Sequence, residues 1–451
     1  LAPFAVYSVS KTVLEYPACD LIYSDEDHLT EDSKMRYEPF FKPAFSPDYL
    51  TGINYICHFL VIRKSIGDRL GWIRNGFEGA QDFDLILRAA EQSGLIAHIP
   101  QILYHWRAIK GSTAKHLDAK DYATASGIKA VQEHLERLGR SGSVVLGPIP
   151  TSYRVIYELA ETPLISMIIP SHDHAEELML CVDSILEKTT YKNYEILIVE
   201  NNSRDPLTFK LYRNFSQNPK IKVIEFNHPF NFSTINNYAA SQASGDMLLF
   251  LNNDTEIISP DWLEQMAVYA NRNDVGIVGA KLYYPDDTIQ HAGVVIGAGG
   301  IAGHSFHKMP RKENGYFLNL KCVMNVSAVT GACMIMRKKV FEEIHGFDEN
   351  YRLAFGDVDI CLKSLRAGYL NIWTPFAELY HYESKTRGYE DNPEKVRRFM
   401  KETDYFKRIW GDALLNGDDY YNSNLSLTNV CYLIDPLIHN PAVTTSRGLS
   451  K

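Results

Sequence analysis

Three polar clusters in this sequence have the residue types and spacing for chemistry on a phosphorylated substrate. The first is Asn252-Asn253-Asp254-Thr255-Glu256, directly after the apolar run Met247–Leu251. A carboxylate just past a buried strand, with other oxygens beside it, can hold Mg²⁺ or Mn²⁺; such an ion completes its shell with phosphate oxygens and water. A polar strand-to-loop cap accounts equally well for this cluster taken alone. The second is Asp357-Val358-Asp359, at the head of an amphipathic segment. Aspartates there cap a helix and suit its dipole, which is a full account of Asp359. Asp357 recurs in an internal repeat, and that points it to proton transfer. The third is His381, followed by Glu383, Lys385, Arg387 and Gly388. A neutral imidazole can complete a metal site, and Lys and Arg can hold a diphosphate. A lone histidine is more often structural, so the order of the three clusters carries the weight.

The elements that must position these groups are legible in the apolar periodicity. Leu164–Pro170 and Met247–Leu251 are the most apolar runs and have strand length, and Glu195–Val199 and Ile221–Phe226 read as two further strands. Leu178, Cys181, Val182 and Ile185 fall at helical spacing between the first two. Strand, helix, strand, with polar residues just past the strand ends, predicts an α/β doubly wound sheet. Ligands of such sheets bind beyond the carboxyl ends of the strands. Ser171-His172-Asp173-His174, Glu200-Asn201-Asn202-Ser203 and the Asp254 cluster all lie there.

Composition narrows the classes. The chain has 451 residues, 45% hydrophobic and 22% charged, enough for two domains with real cores. Its net charge of −9 argues against a nucleic-acid binder held by phosphate contacts. No stretch approaches the roughly 18–20 apolar residues of a membrane span. The seven cysteines are scattered, with no Cys-x-x-Cys pair, so reduced core thiols are expected rather than a disulfide framework or thiolate zinc site.

An internal repeat organises the chain. Gly331–His345 (GACMIMRKKVFEEIH) matches Ile56–Leu70 (ICHFLVIRKSIGDRL). Phe355–Tyr369 matches Gly79–Gly94, and Trp373–Glu383 matches His98–Arg107, each pair in the same order. Asp82 and His105 thus stand where the second copy has Asp357 and His381. The first copy lacks everything corresponding to Leu164–Ile258, so it is expected to be a partial copy unable to form a donor site, either cut from a longer bifunctional chain, the favoured reading, or a structural and acceptor-guiding remnant. The expected division is a partial domain at 1–140, a linker at 141–162 and a complete domain at 163–451.

On these residues the sequence resembles the family 2 glycosyltransferases, which have the GT-A fold, a Rossmann-like doubly wound mixed sheet. SMIIPSHDH resembles the family's first strand and nucleotide loop, and VENNS its second acidic turn. SGDMLLFLNND resembles the lead into the Asp-x-Asp motif, FGDVDICLK the Glu-Asp motif, and HYESKTRG the loop over the diphosphate. Two positions depart: Asn252 replaces the first Asp of Asp-x-Asp, and Gly356 replaces the Glu before Asp357. The nearest likeness is to bacterial multi-domain enzymes of rhamnan or O-antigen synthesis.

The resemblance implies a metal-dependent inverting transfer from a UDP- or dTDP-sugar to a glycan or lipid-linked glycan. Asp357 would be the base. Asp254 and His381 would hold Mn²⁺ or Mg²⁺. Pro170, His172, Asp173, Glu200, Asn237 and Asn252 would contact the nucleotide, with Lys385 and Arg387 at the diphosphate. Cell-surface polysaccharide synthesis in the cytoplasm, at the inner membrane face and beside other assembly enzymes, is the expected setting. The competing readings are a non-catalytic glycan-binding or scaffold module and a sugar nucleotidyltransferase. Ser171–His174 lacks the glycine-rich basic loop usual in nucleotidyltransferases.

Overall fold

A computed structural model describes residues 1–107, 118–383 and 392–435, the side chains of 118–121 excepted. The first unit opens with helix α1 (Ala5–Glu15) and strand β1 (Leu21–Leu29), followed by β2 (Arg36–Phe40), α2 (Pro47–Gly52), β3 (Leu60–Ile62) and α3 (Lys64–Leu70). It continues through α4 (Gln81–Gln92), β4 (Ile96–Arg107) and α5 (Asp118–Arg137). β1 pairs antiparallel with β2 and β3 and parallel with β4.

The segment expected to be a linker holds a hairpin of β5 (Gly142–Leu146) and β6 (Tyr153–Tyr157). Gly147, Pro148 and Pro150 sit in its turn, while Val144 and Val155 pair across the strands and are buried. The composition that suggests a bare connection thus belongs to a hairpin turn.

The second unit begins with β7 (Ile165–Ser171), α6 (Ala175–Lys188), β8 (Tyr194–Glu200), α7 (Pro206–Phe215), β9 (Ile221–Glu225), α8 (Phe232–Gln242) and β10 (Met247–Leu251). β9, β8, β7 and β10 lie side by side and parallel, the doubly wound order the apolar runs predict. Side chains alternate between two cores. Leu248 and Phe250 of β10 enter one, and Met247, Leu249 and Leu251 enter the other. A strand buried on both faces reads as a continuous apolar run, and each such side chain contributes roughly 1.5–3 kcal/mol. Asp205 caps α7 by accepting from Leu207 N, with Pro206 at the first helical position.

Then follow β11 (Thr255–Ile257), α9 (Trp262–Ala270), β12 (Val275–Tyr283) and four short strands: β13 (Ile289–His291), β14 (Val294–Ile296), β15 (Ala302–His304) and β16 (Met324–Asn325). β17 (Cys333–Arg337), α10 (Lys338–Glu343), α11 (Gly356–Arg366), β18 (Leu370–His381) and α12 (Pro393–Asn416) complete the order. β17 runs antiparallel between β10 and β12, so the sheet is mixed. β12 pairs antiparallel with β17 and parallel with β18, the pattern that β1 makes with β3 and β4.

One hydrophobic cluster contains Leu21 and Phe83 of the first unit together with Phe250 and Trp410 of the second. A C-terminal strap, 417–435, also joins them: Asn422 Nδ2 donates to the Asp25 carboxylate at 3.0 and 3.1 Å and to Lys42 O at 2.9 Å. Five of the seven cysteines are buried, and all seven are free thiols. Among the described residues no helix is long and apolar enough to cross a membrane.

Candidate active site

A cavity of about 1600 Å³ opens beyond the carboxyl ends of β7 and β10. Pro170, His172, Asn252, Asp254, Asp357 and His381 all line it, having arrived from distant parts of the chain.

The β7 and β8 loops form one wall. Asp173 and His174 have left-handed backbone, with φ of 52° and 55°. Asp173 Oδ1 accepts from Arg204 N at 2.7 Å and Asp205 N at 2.8 Å, which clips the two loops together. Burial pushes its carboxyl up, but those two amides outweigh it and hold the carboxyl below its ordinary value. Glu200 is buried and closes its own turn by accepting from Ser203 N. His172 donates from Nδ1 to Asn201 O at 2.7 Å. Of this set, His172 and Pro170 face the cavity; Asp173 and Glu200 lie outside its lining. Asn201 and Asn202, not singled out by the sequence reading, stand in the wall instead.

Asn237 is also placed away from the cavity. Its amide donates to Phe347 O and Glu349 Oε1 and accepts from Phe347 N, fastening the turn after α10. Lys385 and Arg387 lie outside the described residues.

Asp254 and His381 meet because β11 pairs with β18, placing Thr255 opposite His381. His381 Nε2 lies 3.1 Å from Asp254 Oδ1 and 3.1 Å from Asn252 Nδ2. Burial pushes the Asp254 carboxyl up; the hydrogen bond and charge of His381 outweigh it and hold it below the ordinary range. Among the described residues no cluster of three or more His, Cys, Asp or Glu is suited to a metal ion. A carboxylate oxygen and an imidazole nitrogen 3.1 Å apart nevertheless fit adjacent positions of one octahedral ion with bonds of about 2.1 Å. Such an ion would take its remaining ligands from phosphate and water, so the residues present fit Mn²⁺ or Mg²⁺ bound together with a diphosphate.

Asp357 sits in the first turn of α11. Its Oδ2 accepts from Gly331 N at 3.0 Å and its Oδ1 from Val358 N at 2.9 Å, which fixes the rotamer. The turn before it is held by Glu402, buried on α12, whose carboxylate accepts from the amides of Arg352, Leu353 and Ala354 at 2.9–3.1 Å. Asp359 does more than cap. It is buried and accepts from Trp410 Nε1 at 2.9 Å, tying α11 to α12.

The insertion carrying β13–β15 and the strap supply the rest of the lining: Tyr284, Gln290, His304, His307 and residues 427–431. Burial pushes the His304 imidazole below its ordinary value against the pull of Asp357, and His307 is lowered by burial and Lys308. These rings offer uncharged hydrogen-bonding edges at neutral pH. The spacing of His291, His304 and His307 in a glycine-rich stretch is the sequence signal for this wall.

Residues 166–345 match the family model "Glycosyl transferase family 2". The chain carries a family 2 glycosyltransferase domain. Its mixed sheet, parallel through β7–β10 with β17 antiparallel, agrees with the GT-A fold of that family. The chain is 46% identical over 432 residues to the uncharacterized protein y4gI of Sinorhizobium fredii, covering 95% of this chain and 47% of that protein. It is 41% identical over 429 residues to the O-antigen biosynthesis protein RfbC of Myxococcus xanthus, covering 95% of this chain and 33% of that protein. The chain thus spans about half or less of the length of these relatives. It is also similar to the crystal structure of GalNAc-T7 with UDP, GalNAc and Mn²⁺, with a TM-score of 0.45 and 16% identity over 59% of this chain and 51% of that one.

Proposed function

We propose that the second unit is an inverting, metal-dependent glycosyltransferase that moves a hexosyl or rhamnosyl group from a UDP- or dTDP-sugar to a glycan or lipid-linked glycan. The observation that carries this reading is the convergence of Asp254, His381 and Asp357 on one cavity beyond the strand ends. The acceptor hydroxyl attacks the anomeric carbon and gives its proton to Asp357. The bond from that carbon to the phosphate oxygen breaks, and the nucleoside diphosphate leaves. A divalent ion on Asp254 and His381 would neutralise charge on the leaving diphosphate, and Lys385 and Arg387 are proposed to add to it. His172, Asn201 and Asn202, in the cavity wall, are proposed to contact the nucleoside, and Tyr284, His304 and His307 the acceptor hydroxyls. The similarity to RfbC, an O-antigen biosynthesis protein, supports bacterial surface polysaccharide as the product, made in the cytoplasm at the membrane face.

We propose the first unit as a partial copy of the same fold with a scaffolding role, because Asp25 and Asp27 are taken up by His98, His105 and Arg36, and Asp48 pairs with Arg272 of the second unit. The test is a panel of UDP- and dTDP-sugars, scored for release of free nucleotide with and without Mn²⁺. Metal-dependent release from one member is expected. Release independent of metal from every active donor would overturn the metal assignment, and no release from any donor with a bacterial glycan extract as acceptor would overturn the transferase assignment.

A further inference from the structure

The metal reading leaves open what aims His381. Gln290 of β13 is buried against it, and its carbonyl oxygen Oε1 lies 2.6 Å from His381 Nδ1. An amide oxygen only accepts, so Nδ1 carries the proton. The amide cannot turn over at no cost, because its other end donates from Nε2 to Glu383 Oε2 at 3.1 Å. Glu383 is a carboxylate that also accepts from Tyr284 Oη at 2.8 Å. The order Glu383, Gln290, His381 is therefore directional. It leaves Nε2 of His381 as the ring atom directed at Asp254 Oδ1 and the amide of Asn252, each 3.1 Å away.

We propose that Gln290 is a positioning residue which fixes the tautomer and ring orientation of His381, so that Nε2 is presented to a divalent cation shared with Asp254. Outer partners of this kind typically change metal affinity by about 10–100-fold. The inference rests on the metal reading above. In the first unit the equivalent histidine, His105, gives its Nδ1 to a carboxylate, Asp27, at 2.5 Å. The second unit uses a neutral amide there instead.

The test is Mn²⁺ affinity of the whole protein, read by electron paramagnetic resonance of free Mn²⁺ in the presence of UDP and, separately, dTDP. Gln290→Met keeps the length and removes the acceptor. Gln290→Glu combined with Glu383→Gln restores an acceptor toward His381 and a donor between the two side chains. Gln290→Met is expected to weaken Mn²⁺ binding about 10–100-fold with an unshifted thermal midpoint, and the swapped pair to recover most of the loss. Parent-like affinity in Gln290→Met, or a swapped pair no better than it, overturns the role of Gln290. Asp254→Ala separates this from failure of the metal reading: unchanged Mn²⁺ affinity in that variant, or a parent that binds none, overturns both.

Discussion

The strand set β1, β3 and β4 and the strand set β12, β17 and β18 make the same pairings, yet their polar residues are used in opposite ways. In the first unit the acidic side chains of β1, Asp25, Glu26 and Asp27, are all engaged by other protein groups. Asp25 Oδ1 meets His98 Nε2 at 2.8 Å, Asp27 meets His105 and Arg36, and Glu26 Oε2 accepts from His58 N at 2.9 Å. In the second unit Asp254, His381 and Asp357 border a cavity instead. The helix-start aspartates sharpen the contrast. Asp82 and Asp357 each accept from the next residue's amide, at 2.8 and 2.9 Å. Asp82 then lies against the Cys57 thiol, which burial and that carboxylate push up, whereas Asp357 lies beside open volume. A shared pairing pattern therefore does not specify chemistry; what the carboxylates are left to face does.

The largest expected effect breaks the pair Asp357 and Asp82. Asn caps nearly as well as Asp but accepts no proton. Asp357→Asn is expected to stay folded, bind donor and lose about 10²–10⁴-fold in kcat, while Asp82→Asn leaves kcat unchanged. Asp359→Asn, at the tie to Trp410, is expected to lower the melting temperature and spare most of kcat. All three are read in one transfer assay with melting curves alongside. Near-parent transfer by Asp357→Asn would remove it as the base and promote Glu383, which also lines the cavity.

A second, smaller effect probes the first unit. Asp25 is buried and holds His98, Lys42 N and Asn422 together. Asp25→Ala is expected to cost roughly 3–5 kcal/mol of stability, the usual result of breaking a buried charged pair from one side. Donor affinity per folded molecule should remain at the parent value. Chemical denaturation and calorimetry on the same samples check both, and a selective loss of donor binding would give this unit a direct share in the donor site.

Much of this was legible in the sequence, and the reasons are physical. The strands β7, β8 and β10 are buried on both faces, and that forces nearly continuous apolar runs, whereas β9 keeps Lys222 and Glu225 exposed. Asp254, Asp357 and His381 follow or end such elements, so they are found by position. Asp173, Glu200 and Asn237 have the right types at the right loop ends, but their side chains are spent on backbone amides and carbonyls. Sequence spacing carries no information on which way a loop side chain turns. Gln290, the short strands β13–β15 and the strap at 417–435 were missed for another reason. Elements of three residues are too short for a period to register, and the strap has no repeating pattern at all.

The central claim is that Asp254, with His381, holds a divalent ion for the donor diphosphate. The direct measurement is isothermal calorimetry of the active nucleotide sugar with Mn²⁺, on the parent and on Asp254→Ala and Asp254→Asn. The change Asp254→Asn keeps the shape of the side chain and removes its charge. The account predicts metal-dependent binding in the parent and none in either variant, with melting curves showing both folded. Parent-like, metal-dependent affinity in a folded Asp254→Asn would contradict it.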